Sequence, residues 1–157
     1  MEFKEAYSYA SDLCSRQERC TSYIKEKLAK FELDDETLNL VIDKLKAERF
    51  LDDLRFATYF TRDKYRFEKW GRIKITYQLK LKKIPNDIIA QAIEAIDQDE
   101  YLSNLEQLIT SAVKKSKETN RYKRDSKIVR MVSSKGYEST LIFKLLKTPT
   151  NEFIDEE

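Results

Sequence analysis

The 157-residue chain has 37% charged residues, a formal net charge of +2, no histidine, two glycines and two prolines. So little turn chemistry excludes a sandwich or barrel, and the lack of histidine removes the commonest general base and metal ligand. There is no glycine-rich phosphate loop and no apolar signal core near Met1, and no apolar run approaches the roughly 20 residues that cross a bilayer. The expectation is a cytoplasmic all-α protein that is not an enzyme and has no membrane contact, cofactor, metal site or catalytic residue.

In chain order, Ala6 to Leu13 reads as a first helix. Ser15 and Glu18 have capping-box spacing ahead of a second helix carrying Ile24 and Leu28. Leu33 follows a break, and Asp34 or Asp35 can cap a third helix with Leu38, Val41, Ile42 and Leu45. The plan then returns after about fifty residues, a spacing typical of helical arrays. Asp52 or Asp53 can cap the run from Phe56 to Tyr65, Ile75 and Leu79 form the second helix, and Ile84, Ile89, Ala92, Ile93 and Ile96 complete the copy. Pro85 sits where a first helical turn tolerates proline. The third copy comprises Leu102 to Val113, then Ile128 and Val132, then Tyr137, Ile142, Leu145 and Leu146, with Pro149 stopping the last helix. Each copy has an i, i+4 pair, a break, and a stripe at i, i+3, i+4, with no gap needed to align them. The pattern predicts an elongated tandem array of three three-helix repeats, 1–52, 53–97 and 98–148, followed by an acidic tail, 149–157.

Few residues invite a chemical role. Cys14 and Cys20 match no metal or redox spacing and read as buried or half-buried reduced thiols. The adjacent carboxylates Asp52 and Asp53 would need a third acidic ligand to hold a metal, and their place before a helix favours capping. Ser15, Ser133 and Ser134 have no base in view.

Charge is more informative. Residues 1–52 hold twelve acidic against nine basic side chains, 53–97 six against ten, and 98–148 six against eleven; Glu152, Asp155, Glu156 and Glu157 make the tail acidic. Two dense basic clusters stand out: Lys80, Lys82 and Lys83, and Arg121, Lys123, Arg124, Lys127 and Arg130. With Lys69 and Arg72 they form the candidate binding set, suited to a phosphate backbone or an acidic protein groove. An ordinary solvated helix face is the plain alternative. Aromatics interleave with these cations in the middle repeat, a mixture suited to base stacking. For Phe56 and Phe60, which share a face at i, i+4, core packing is the default reading. Tyr65, Phe67 and Trp70 fall near a helix junction, where either reading fits.

Several stretches occur together in one known order: Ala6 to Leu13, Ser-Arg-Gln-Glu-Arg-Cys from Ser15 to Cys20, Ile24 to Leu28, and Phe-Leu-Asp-Asp-Leu-Arg-Phe-Ala from Phe50 to Ala57. Trp-Gly-Arg-Ile from Trp70 to Ile73, Leu79 to Ile84, and Lys-Gly-Tyr from Lys135 to Tyr137 continue the series. Up to Lys147 the chain resembles RecX, the bacterial regulator of the RecA recombinase in DNA repair, homologous recombination and the SOS response. The resemblance implies tandem three-helix repeats and a monomeric negative modulator. Such a protein binds the groove of the RecA-DNA filament and limits its extension, ATP hydrolysis and strand exchange, with weak, sequence-tolerant binding to single- and double-stranded DNA. A tandem helix-turn-helix transcriptional regulator is the alternative reading, because three-helix units with basic second or third helices resemble that module. One departure concerns turns. The family tends to carry glycine where this chain has Arg49, Glu32 or Phe31, and Lys83, and only Gly136 keeps it. Either the left-handed backbone is not required at these turns, or non-glycine residues adopt it under strain.

Overall fold

Helix boundaries follow capping chemistry over the described residues, 2–146, of a computed structural model. Nine α-helices occur among them: α1 (Glu2–Arg16), α2 (Thr21–Leu28), α3 (Asp35–Ala47), α4 (Asp53–Phe67), α5 (Arg72–Leu81), α6 (Asn86–Glu94), α7 (Gln98–Lys115), α8 (Arg121–Ser134) and α9 (Ser139–Leu146), with a 3-10 turn at Ala29–Phe31. No strand is present among the described residues, and the fold is all-α, built of three successive helix triplets. Pro149 and the acidic tail lie outside the described residues.

The starts are chemically specific. Asp34 caps α3 by accepting from the Thr37 amide at 2.7 Å, Asp97 caps α7 through the Glu100 amide at 3.0 Å, and Asn120 caps α8 through the Lys123 amide at 3.0 Å. Of the adjacent acids, Asp52 caps α4 through the Arg55 amide at 3.0 Å. Asp53 does something else: it accepts from the Thr21 amide at 2.9 Å and the Thr21 hydroxyl at 3.0 Å, so it secures the start of α2 from 32 positions away. The capping box at Ser15 and Glu18 does not form. Helix α1 runs past Ser15, whose hydroxyl donates to the Asp12 carbonyl at 2.7 Å, and Glu18 instead pairs with Arg55 at 2.9 Å. The α2 N-cap position is Cys20, which makes no side-chain cap bond.

Helix ends depend on left-handed residues. Arg49 (φ 65°) closes α3, with its amide donating to Lys46 and the Phe50 amide to Leu45. Lys83 (φ 62°) closes α5 in the same way, its amide reaching Lys80 and that of Ile84 reaching Leu79. This is the paired hydrogen-bond pattern of a Schellman motif. Glu32 (φ 51°), Lys83 and Gly136 (φ 99°) immediately precede Leu33, Ile84 and Tyr137, which are equivalent in the repeat. The left-handed turn is thus kept three times, and two of the copies hold it without glycine, under strain.

Burial follows the repeat register. Ile24, Leu28, Val41, Ile42 and Leu45 are buried, as are Ile75, Leu79, Ile84, Ile89, Ala92 and Ile96, and Ile128, Val132, Tyr137, Ile142 and Leu146. Leu33, Leu38, Ile93 and Leu145 are only half-buried, so the stripe is wider on paper than in the core. Compact packing divides the described residues into two units: 2–60 with 79–94, and 61–78 with 95–146. The divisions fall inside α4 and α5. In the first unit Ala6, Ala10, Ile24, Leu28, Val41, Ile42, Leu45 and Leu51 form one cluster. Phe3, Tyr7, Tyr9, Phe31 and Phe50 border it, with Tyr7 and Phe50 edge to face at 6.3 Å.

In the second unit the only two glycines of the chain meet. The Gly71 amide donates to the Lys135 carbonyl at 2.8 Å, and the Ile73 amide donates to the Gly136 carbonyl at 2.9 Å. A Cβ on Gly71 would lie 2.4 Å from the Gly136 carbonyl carbon and oxygen, so close backbone approach explains this glycine.

Candidate interaction surface

The ten candidate cations fall into three groups with different surroundings. The first, Lys80, Lys82 and Lys83, belongs to the first unit and occupies the Schellman end of α5. Lys80 and Lys83 are exposed. Lys82 is half-buried, its ammonium 5.6 Å from the centre of the Phe60 ring and 6.0 Å from that of Phe56, while its carbonyl accepts from the Ser22 hydroxyl at 2.6 Å. The Phe56 and Phe60 rings stack at 5.9 Å but are only half-buried.

The second group, Lys69 and Arg72, is built into the second unit. Lys69 (φ 58°) donates through its ammonium to Asn104 Oδ1 at 3.3 Å, and its carbonyl accepts from the Tyr137 hydroxyl at 2.9 Å. Asn104 is buried and donates in turn to the Tyr65 carbonyl at 2.9 Å. Arg72 pairs with Glu138 at 2.7 Å, lies 3.9 Å above the Tyr101 ring, donates to Gln98 Oε1, and gives its amide to the Tyr101 hydroxyl at 2.9 Å. The same Tyr101 hydroxyl donates to Glu138 at 2.5 Å. Burial, followed by the Glu138 hydrogen bond, pushes the Tyr101 hydroxyl far above its usual range, so it remains a donor. Burial raises the Glu138 carboxyl, but the bonds from Tyr101 and Arg72 outweigh it and hold the group below the ordinary glutamate value.

The third group lies along α8. Asp125 is completely buried on this helix, with one oxygen accepting from Arg124 Nε at 2.9 Å and the other 3.7 Å from Arg121 Nε. Two of the five clustered cations therefore neutralise an internal carboxylate. Lys127 reaches Glu118 at 3.4 Å, and it is exposed, as are Lys123 and Arg130. The structure brings Arg121 and Arg124 together on Asp125, anchors Arg72 and Lys69 internally, and leaves Lys80, Lys83, Lys123, Lys127 and Arg130 outward.

Sequence reasoning missed the Tyr101–Glu138–Arg72 and Tyr65–Glu100–Arg66 clusters. Tyr65 donates to Glu100 at 2.5 Å and Arg66 pairs with it at 3.1 Å. Glu138 lies 37 positions from Tyr101 and 66 from Arg72, and Glu100 lies 35 from Tyr65, so local spacing carries no sign of these clusters. Tyr65 is buried, Phe67 exposed and Trp70 half-buried, with the ammonium groups of Lys64 and Lys74 4.8 Å and 4.5 Å from the centre of the indole. Cys14 is half-buried, and burial, then the Glu18 charge, pushes its thiol up to about 11, so it stays protonated at neutral pH. Among the described residues no group of three or more acidic or cysteine side chains could hold a metal ion, and no helix is long and apolar enough to cross a membrane.

The family model described as "RecX, second three-helix domain" matches residues 52–93, the span of α4 to α6. Regulatory protein RecX of Clostridium botulinum (strain Alaska E43 / Type E3) is 33% identical over 135 residues, covering 84% of this chain and 63% of the relative. That of Oceanobacillus iheyensis is 27% identical over 154 residues, covering 98% of this chain and 57% of the relative. The chain is thus similar to RecX proteins over most of its length. The crystal structure of RecX from Lactobacillus salivarius superposes with a TM-score of 0.87 at 18% identity, covering 93% of this chain and 95% of that one, which shows that the RecX fold is shared. The chain spans about three fifths of the length of the curated RecX relatives it matches, 63% and 57% for the two above. Within the RecX fold, the Leu-Asp-Asp segment acquires a physical role: Leu51 is buried, Asp52 caps α4, and Asp53 holds α2.

Proposed function

We propose that this chain is a negative regulator of the RecA recombinase. It binds in the groove of the RecA-DNA filament and limits filament extension, ATP hydrolysis and strand exchange, acting as a cytoplasmic monomer. The observation that carries the reading is its similarity to proteins named regulatory protein RecX, extending over 84% of the chain in one case. Physical support comes from the outward cations. Lys80 and Lys83 at the end of α5, and Lys123, Lys127 and Arg130 on α8, can meet phosphates or acidic protein, while Arg72, Arg121, Arg124 and Lys69 hold the scaffold that presents them. Binding to single- or double-stranded DNA alone is then weak, tolerant of sequence and sensitive to salt.

The test is RecA's DNA-dependent ATP hydrolysis with substoichiometric protein added. Hydrolysis is expected to fall. Reversing Lys80, Lys82 and Lys83 together should weaken the effect and lower the logarithmic salt slope by roughly 0.9 per lost phosphate contact on duplex DNA, or about 0.7 on single strands. Unchanged hydrolysis, together with tight binding to one operator that RecA does not enhance, would replace this reading with a sequence-specific DNA-binding regulator.

A further inference from the structure

At the corner between α4 and α5, aromatic rings alternate with lysines. Phe67, the last residue of α4, is 78% exposed, and Tyr77 on α5 is 59% exposed. Lys64 shares a face of α4 with Phe67 at i, i+3, and Lys74 shares a face of α5 with Tyr77 at the same spacing. Trp70 joins the two halves, its ring centre lying 4.8 Å from the Lys64 ammonium and 4.5 Å from that of Lys74. The order across the corner is therefore Phe67, Lys64, Trp70, Lys74, Tyr77, and all five belong to the second compact unit. The corner is held in place. The Trp70 amide donates to the Lys64 carbonyl at 3.1 Å around left-handed Lys69, whose own carbonyl accepts from the Tyr137 hydroxyl at 2.9 Å.

Residues 61–78 hold six basic and two acidic side chains, so charge favours a polyanion here. Two of the cations are committed elsewhere, Arg66 to Glu100 at 3.1 Å and Arg72 to Glu138 at 2.7 Å, whereas Lys74 stands on a helix that carries no acidic residue. Rings alternating with ammonium groups match a strand whose bases are unpaired. Each base offers a π-face, each phosphate a charge, and a lysine beside a ring can turn its flexible stem to the phosphate. A duplex fits poorly, because its bases already stack on one another and must be pulled out of the helix to meet a ring. An acidic peptide would use the lysines but has no need of a row of rings. We propose that this corner is a stacking site for single-stranded nucleic acid, with bases against Phe67 and Tyr77, Trp70 beside them, and Lys64 and Lys74 on the phosphates. The proposal rests on the DNA-binding part of the function above. It adds what the basic clusters on α5 and α8 lack, a means of preferring an unpaired strand to a duplex without reading its sequence.

Trp70 is the only tryptophan of the chain, so its fluorescence reports on this corner alone. The full chain, with no RecA present, is titrated with three probes of about twelve nucleotides: oligothymidylate, a strand of the same length made of abasic sites, and a duplex. Oligothymidylate is expected to quench Trp70 emission and to bind more tightly than either of the others. A variant carrying Phe67→Ala and Tyr77→Ala should bind oligothymidylate about 5-fold or more weakly, the lower end of stacking losses, and should bind the abasic strand as the parent does. Tyr77→Phe keeps a ring and should keep the parent affinity. Both side chains are exposed, so the variants are expected to fold, and circular dichroism checks that they do. Equal affinity for oligothymidylate and the abasic strand overturns the stacking site, as does duplex binding as tight as that of oligothymidylate, or unchanged binding by the double alanine variant. Each of these leaves DNA binding itself in place, whereas no binding to any probe overturns both. RecA's ATP hydrolysis is measured separately, so a missing stacking site and a missing regulatory activity are told apart.

Discussion

Replacing Gly71 by alanine tests the glycine seam directly, because local and tertiary arguments predict opposite signs. Gly71 has no positive φ and stands just before α5, where alanine would ordinarily stabilise by about 0.4–1 kcal/mol through the unfolded chain. In the folded protein its Cβ would meet Gly136 C and O at 2.4 Å and the Tyr137 amide nitrogen at 2.5 Å, all backbone atoms. No side-chain rotation relieves that contact, so the two segments must separate by about an ångström to regain ordinary packing distances. The seam they share includes the Gly71–Lys135 bond at 2.8 Å, the Ile73–Gly136 bond at 2.9 Å and the Tyr137–Lys69 bond at 2.9 Å. Weakening two of these at about 0.5–1.5 kcal/mol each, with about 1–3 kcal/mol for overpacking, gives a loss of about 2–6 kcal/mol. Urea unfolding should show a lower midpoint with an unchanged slope. A neutral or stabilised variant would refute the argument that close approach requires this glycine.

Relieving the strained turn should act in the other direction: Lys83→Gly removes a left-handed penalty of about 1–2 kcal/mol and adds about 0.5–1 kcal/mol of backbone entropy, for a net gain of about 0.5–1 kcal/mol in urea unfolding. Lys80→Gly, within α5, should instead lose about 1 kcal/mol. Arg124→Ala strips the closest cation from buried Asp125 and should destabilise by about 3 kcal/mol, whereas exposed Lys123→Ala should stay within about 0.5 kcal/mol; equal effects would show that Arg124 is not structural. Glu138 has a folded pKa below its ordinary value of 4.5, so its contribution is fully present above that pH and is lost as pH falls through the lowered value. Glu138→Gln should therefore flatten the acid limb of a stability-pH profile, and an unchanged limb would remove Glu138 from that role.

The repeat was legible in the sequence because burial imposes helical spacing: Ile24 and Leu28, Ile75 and Leu79, and Ile128 and Val132 each place two side chains on one helical face, and all six are buried. Gly136 was legible as a turn glycine, but at Glu32 and Lys83 the sequence left open whether the left-handed backbone is kept, and the structure keeps it at φ 51° and 62°. Charge clustering located the basic segments but not the duties within them. Lys123 and Arg124 are neighbours in sequence, yet one is exposed and the other binds a buried carboxylate, because a rotation of 100° per residue sends them to different faces. Asp52 and Asp53 both looked like caps for one helix, and tertiary structure gave the second to α2. Local spacing fixes which face of a helix is apolar or basic. Arg72 meets Glu138 from 66 positions away, a pairing that only long-range packing decides; Arg121 and Arg124 meet Asp125 within α8, and there tertiary structure decided that this carboxylate is buried.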